Sequence, residues 1–82
     1  MKLLVCVTVP ALSKSYDVRL PDDMEVRQII PLIAQTVEYL SEQTYVSSGH
    51  EILCYPEQRQ TLKGDDTLHQ AGVLNGSHLF LM

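Results

Sequence analysis

Val26, Ile29, Ile30, Ile33, Val37 and Leu40 recur at spacings of three and four within EVRQIIPLIAQTVEYL, residues 25–40. That period places them on one face of an amphipathic helix, with Arg27, Gln28, Gln35 and Glu38 largely on the other. No other stretch is as long or as regular. Elsewhere the apolar period is two. Leu3, Val5, Val7 and Val9 alternate with Leu4, Cys6 and Thr8, and Tyr16, Val18 and Leu20 alternate with Ser15, Asp17 and Arg19. Both runs read as strands with one apolar face. Pro10 to Lys14 joins them, so they form an antiparallel hairpin. A helix with one apolar face needs one apolar partner, and the hairpin supplies the floor for it.

The later segments are shorter. Glu51 to Tyr55 reads as a third strand, Thr61-Leu62 as a brief return strand, and His78 to Met82 as the last strand. In the last, Leu79 and Leu81 share one face and His78, Phe80 and Met82 the other. Ser47-Ser48-Gly49 is a stop and turn signal. Thr67 to Val73 reads as one helical or 3₁₀ turn capped by Gly72, followed by a turn centred on Asn75-Gly76. Pro31 lies inside the helical period, which continues in register across it, so one helix kinked at Pro31 is expected. Asp22-Asp23 stand just ahead of the helix, where its dipole favours negative charge. Tyr39 and Tyr45 are expected to pack back over the sheet edge. The order strand, strand, helix, strand, short strand, short turn, strand is the β-grasp plan. The fold class is α+β: a mixed sheet of four to five strands with one main helix on one face. Topology rules then place the last strand parallel to the first, in the middle of the sheet.

Length and charge narrow the function. Eighty-two residues make a single domain, 1–82, with one core and no room for a deep catalytic cleft beside it. The net charge is −4, with ten acids spread among six bases and no basic cluster. Neither nucleic acid nor an anionic membrane is the expected partner. No apolar run reaches the roughly 18 residues of a membrane span. MKLLVCVTVP lacks a small-residue cleavage site and reads as the first strand.

Three stretches carry a resemblance to a known family. They are Asp17-Val18-Arg19-Leu20-Pro21-Asp22-Asp23, Val26-Arg27-Gln28-Ile29-Ile30-Pro31-Leu32-Ile33, and the tail from Thr67 to Leu81. Together they resemble the YukD/EsaB ubiquitin-like proteins of type VII secretion systems, and equally the ubiquitin-like N-terminal domain of the membrane component EccD. Proline interrupting the leucine-rich helix start is more a feature of that group than of ubiquitin. The resemblance covers the whole chain, although Gln43 to Gln60 contributes nothing to it. It implies a non-enzymatic, cytoplasmic adaptor or regulator, peripheral at the membrane secretion complex. Its partners would be membrane or ATPase components of that machinery, or a second copy of the chain. The chain ends Leu79-Phe80-Leu81-Met82 without the Gly-Gly tail of ubiquitin-type modifiers, so conjugation is not expected. The alternative is a modifier or sulfur carrier whose tail follows Met82.

Candidate chemistry is sparse. Cys6 and Cys54 are the only cysteines, too few for a ferredoxin-type cluster. Both read as reduced, small apolar side chains. His50, His69 and His78 show no metal-ligand spacing with them. Cys54 beside a polar turn has no orienting third group for thiol catalysis. Asp22-Asp23 and Asp65-Asp66 are neighbours in sequence that point different ways, and turn chemistry accounts for them. No catalytic residue, metal or cofactor is therefore expected. What remains is the sheet face away from the helix. Leu4, Cys6, Thr8, Phe80 and Met82 fall on it, joined by either Ile52/Cys54 or Leu53/Tyr55 according to register. That face is more apolar than solubility requires, and it is the candidate partner-binding surface.

Overall fold

A computed structural model describes residues 2–47 and 49–82. Its elements are β1 (Lys2–Val9), β2 (Lys14–Pro21), α1 (Val26–Leu40), β3 (Leu53–Tyr55), β4 (Gln60–Thr61) and β5 (His78–Leu81). They form a five-stranded mixed sheet in the order β2-β1-β5-β3-β4. β1 and β2 pair antiparallel from Lys2 opposite Pro21 to Val9 opposite Lys14. β5 lies parallel to β1, with Val7 opposite Leu79, and antiparallel to β3, with Cys54 opposite Phe80. The last strand thus occupies the centre of the sheet, as the connection rules require.

One face of the sheet and one face of α1 make the core. Leu3, Val5, Val7 and Val9 of β1, Val18 and Leu20 of β2, Leu53 and Tyr55 of β3, and Leu79 and Leu81 of β5 are all buried. Val26, Ile29, Ile33 and Val37 close over them from the helix, with Ala34 beside them. The strand parity read from the sequence holds throughout. Leu40 departs from the expected stripe. It is the last helical residue and is half exposed, because the helix ends there. Tyr39 also departs: it is 79% exposed and does not pack on the sheet edge, whereas Tyr45 packs against the core.

α1 continues through Pro31 as one element, with the proline exposed. Glu25 is the N-cap, and no acid lies in the first turn. Backbone carbonyls of a distant loop satisfy the first donors: Val26 N–H donates to Asp66 O (2.8 Å) and Arg27 N–H to Gly64 O (3.0 Å). Two of the four orphan amides at a helix start are thereby paired by tertiary contact. At the far end Gln43 N–H donates to Glu38 O (2.9 Å), with Glu42 and Gln43 both left-handed at φ 54 and 69. The stop signal read at 47–49 includes Ser48, which, like Met1, lies outside the described residues. Thr67 to Val73 forms successive turns, with Ala71 N–H bonded to Thr67 O and Val73 N–H to Leu68 O. It puts Leu68 and Val73 into the core.

Candidate functional site

The strand pleat decides what the open face carries. Every second residue of β1 and β5 is committed to the core, so the residues between them must face away from the helix. Leu4, 41% exposed, and the half-buried Cys6 and Thr8 come from β1. Half-buried Phe80 comes from β5, and Met82, 55% exposed, stands directly after it. All five predicted residues share this face. The register left open in the sequence resolves in favour of Ile52 and Cys54, since Leu53 and Tyr55 are buried. Ile52 is 45% exposed and bonds through its backbone to Met82 in both directions, at 2.8 and 3.0 Å. The sequence could not choose because both parities of Glu51–Tyr55 are apolar.

The pairing places these side chains in rows. Ser15, Thr8, Phe80, Cys54 and Thr61 stand side by side across all five strands. Phe80 is the centre of that row. Hydroxyls flank it: Thr8 Oγ1 and Ser15 Oγ lie 2.8 Å apart on one side, and Cys54 Sγ and Thr61 Oγ1 lie 3.9 Å apart on the other. The next row contains Asp17, Cys6 and His78. His78 Nδ1 lies 3.4 Å from Glu57 Oε1 at an exposed position. Leu4 and Arg19 stand opposite each other one row further on. The surface is thus an apolar strip with Phe80 at its middle, edged by charge on β2 and by the His78–Glu57 pair. Its residues can offer van der Waals contact and a few polar anchors.

Cys6 and Cys54 are free thiols on strands separated by β5. Two strand spacings, roughly 10 Å, exceed the reach of a disulfide. His50 and His69 are exposed, and among the described residues no three metal-ligating side chains come together. No described helix is long and apolar enough to cross a membrane.

A second feature lies on the helix side. Arg27, Ile30, Pro31, Ser47, Gly49, Glu51 and Gly64 line a groove of about 330 Å³. Beside it Tyr45 Oη donates to Glu51 Oε2 (2.7 Å) and Ser47 Oγ to Glu51 Oε1 (3.1 Å), while Ser47 N–H donates to Glu38 Oε1 (3.2 Å). Burial, followed by the hydrogen bond to Glu51 and the charges of Glu51 and Glu38, pushes the Tyr45 hydroxyl up to about 12. These contacts fasten the segment after α1 to the helix. Nothing in the sequence pattern announced them, because they tie Glu38 of the helix to an irregular segment that has no period.

Comparison with known proteins agrees with this architecture. Among solved structures, the ubiquitin-like domain of the Mycobacterium tuberculosis type VII secretion system protein EccD1 matches with a TM-score of 0.80 at 22% identity, covering 100% of this chain and 98% of that one. The EccD5 ubiquitin-like domain from Mycobacterium xenopi matches at 0.74 and 13% identity, covering 100% and 93%. The UBL domain of Plasmodium falciparum Dsk2 matches at 0.77 and 20% identity, covering 99% and 96%. At these identities the likeness is one of fold, and the fold is the ubiquitin-like β-grasp. Among curated proteins none matches. One family does match at the level of sequence, over residues 4–81: protein YukD of the WXG100 protein secretion system (Wss). The chain belongs to the YukD family.

Proposed function

We propose that this chain is a non-enzymatic adaptor or regulator of a WXG100-type, or type VII, secretion system, acting as one ubiquitin-like domain. It docks onto membrane or ATPase components of that system through the open sheet face, from the cytoplasmic side. Leu4, Cys6, Thr8, Phe80 and Met82 form the contact surface, with Ile52 and Cys54 extending it. The observation that carries this reading is the contiguous apolar strip around Phe80. Single exposed apolar residues are ordinary on any surface, but a strip crossing three adjacent strands is a feature of interaction faces. Docking would bury Phe80 at the centre and leave the charged margin as a rim, the usual anatomy of a protein interface.

The test is affinity capture from the native host with the wild type and Phe80→Ser side by side. Secretion-system components should co-purify with the wild type and be lost with the variant, while both proteins show the same far-UV circular dichroism. Equal capture by both would move the interface elsewhere. Capture of an adenylating enzyme, or a ladder of covalent adducts, would replace the adaptor by a modifier.

A further inference from the structure

β2 is an edge strand of the sheet. It spans Lys14–Pro21 and its only partner in the sheet is β1. Among the described residues, no backbone group of another segment bonds to it across that edge. Edge strands are normally blunted by lysine, proline or a bulge along their length. Here Lys14 and Pro21 stand only at the two ends, and the interval from Ser15 to Leu20 is regular and open. The opposite edge, β4, has two residues, Gln60–Thr61, and cannot receive a ladder of comparable length. Pairing of β2 with β4 of another molecule would therefore be short. Pairing of β2 with itself would not.

We propose that two copies of this chain associate edge to edge through β2, antiparallel, with Val18 opposite Val18 of the second copy. Directly opposed residues in an antiparallel ladder either both direct their backbone groups at the partner strand or both direct them away, and the two kinds alternate along each strand. A symmetric β2 pair is therefore centred on a residue, and the central choices are Asp17, Val18 and Arg19. Centring on Asp17 sets that carboxylate against its own copy, and centring on Arg19 does the same with two guanidinium groups. Like charges directly opposite are destabilising. Centring on Val18 sets Asp17 of each copy opposite Arg19 of the other, twice by symmetry. It also aligns Ser15–Pro21, nearly the whole strand, with Tyr16 opposite Leu20. Asp17 and Arg19 are both exposed and project from the open face, and among the described residues neither is drawn into an ion pair within the chain. The charge pattern of β2 is self-complementary in one register and self-repelling in its neighbours.

The product is a closed two-fold pair, since both long edges are consumed. Its sheet runs continuously through both copies, and the two open faces end up side by side on the same surface. The interface is small, so association is reversible and weak. It does not depend on the docking role proposed for Phe80, whose side chain lies two strands away from this edge.

Sedimentation equilibrium of the full chain at micromolar to millimolar concentration tests the proposal. The wild type should show a monomer–dimer equilibrium. Asp17→Arg alone and Arg19→Asp alone should each weaken it by on the order of tenfold or more, since two attractive pairs become repulsive. Mixing these two variants should restore a heterodimer, because the arginine introduced into one then faces the aspartate introduced into the other, and the two unaltered residues face each other as before. The double exchange Asp17→Arg/Arg19→Asp should restore the homodimer. Phe80→Ser should leave it unchanged. Should a single reversal fail to fold, the double exchange compared with Asp17→Asn/Arg19→Gln decides alone. A wild type monomeric at millimolar concentration overturns the proposal. So does a dimer indifferent to the reversals, or one that Phe80→Ser abolishes.

Discussion

Leu79 and Phe80 are consecutive residues of the central strand, and the fold assigns them opposite duties. Leu79 is fully buried, opposite Val7 of β1, on a strand held by β1 on one side and β3 on the other. Shortening it to alanine leaves a cavity that a strand fixed on both sides cannot close. Deletions of this kind cost about 2–5 kcal/mol, and the fixed setting argues for the upper half. A chain of 82 residues has a total stability of about 4–12 kcal/mol. Leu79→Ala therefore removes roughly 30% or more of it. With an unfolding entropy of about 2.1 cal/mol/K per residue, roughly 0.17 kcal/mol/K in all, a loss of about 3.5 kcal/mol lowers Tm by ~20 °C. Phe80 is half-buried on the open face between Thr8 and Cys54. Phe80→Ser forfeits cross-strand contact there, about 1 kcal/mol. Urea titration followed by circular dichroism should give midpoints in the order wild type, Phe80→Ser, Leu79→Ala, with a common m-value. The reverse order for the two variants would mean that the pleat of β5 is inverted, and the assignment of the open face would fall with it.

Further substitutions at four places probe the remaining structure. Tyr16 Oη is buried without a hydrogen-bond partner among the described residues, so Tyr16→Phe should be neutral or stabilise by up to about 1 kcal/mol in the same titration. Ser77 is buried; its Oγ lies 3.0 Å from Tyr55 Oη and accepts the Leu74 amide at 2.9 Å. Ser77→Ala should cost about 1–3 kcal/mol by orphaning both, and in a double-mutant cycle the loss combined with Tyr55→Phe should be less than the sum. Pro31→Ala restores an amide able to bond Arg27 O and removes a ring from the helix interior; a gain of about 1–3 kcal/mol is expected, and no gain would mean that α1 has fully accommodated the ring. Tyr45 has its folded-state pKa raised from 10.0 to about 12. Its contribution is therefore complete below pH 10 and lost as pH climbs through 12, so the stability gap between wild type and Tyr45→Phe should narrow over that window. A gap independent of pH between 10 and 12 would show that the hydroxyl is not held by Glu51 in solution.

The parts of this fold that could be read in advance are those where a period repeats. Three or more alternations in β1 and β2, and four turns of α1, fix which residues face the core. β5 follows the same parity with only four residues because Leu79 and Leu81 bracket Phe80. β3 has too few residues and too many apolar ones, so its register required the structure. The start of α1 draws on contacts that no local pattern shows. The amides of Val26 and Arg27 are satisfied by Asp66 and Gly64, some forty residues later in the chain. Contacts of that kind leave no local trace. Leu68 and Val73 belong to the core by the same route, from a segment of turns without a period.

The candidate surface was legible because it is the complement of the core. A sheet covered by one helix has a second face that the fold does not use, and strand alternation names its residues as soon as the core is known. On most one-sided sheets these alternate positions are polar. Here Leu4, Cys6, Phe80, Met82, Ile52 and Cys54 interrupt that rule on three adjacent strands, while β2 beside them obeys it with Ser15, Asp17 and Arg19. The departure is confined to the middle of the sheet and is not a general excess of hydrophobicity. Folding does not require it, since the core residues lie on the opposite side of the same strands. An apolar strip that stability does not explain, bounded by a polar edge strand that carries one charge of each sign at Asp17 and Arg19, is what two separate contacts would look like. One would be made by the face and the other by the edge, and each can be removed by substitutions that leave the other intact.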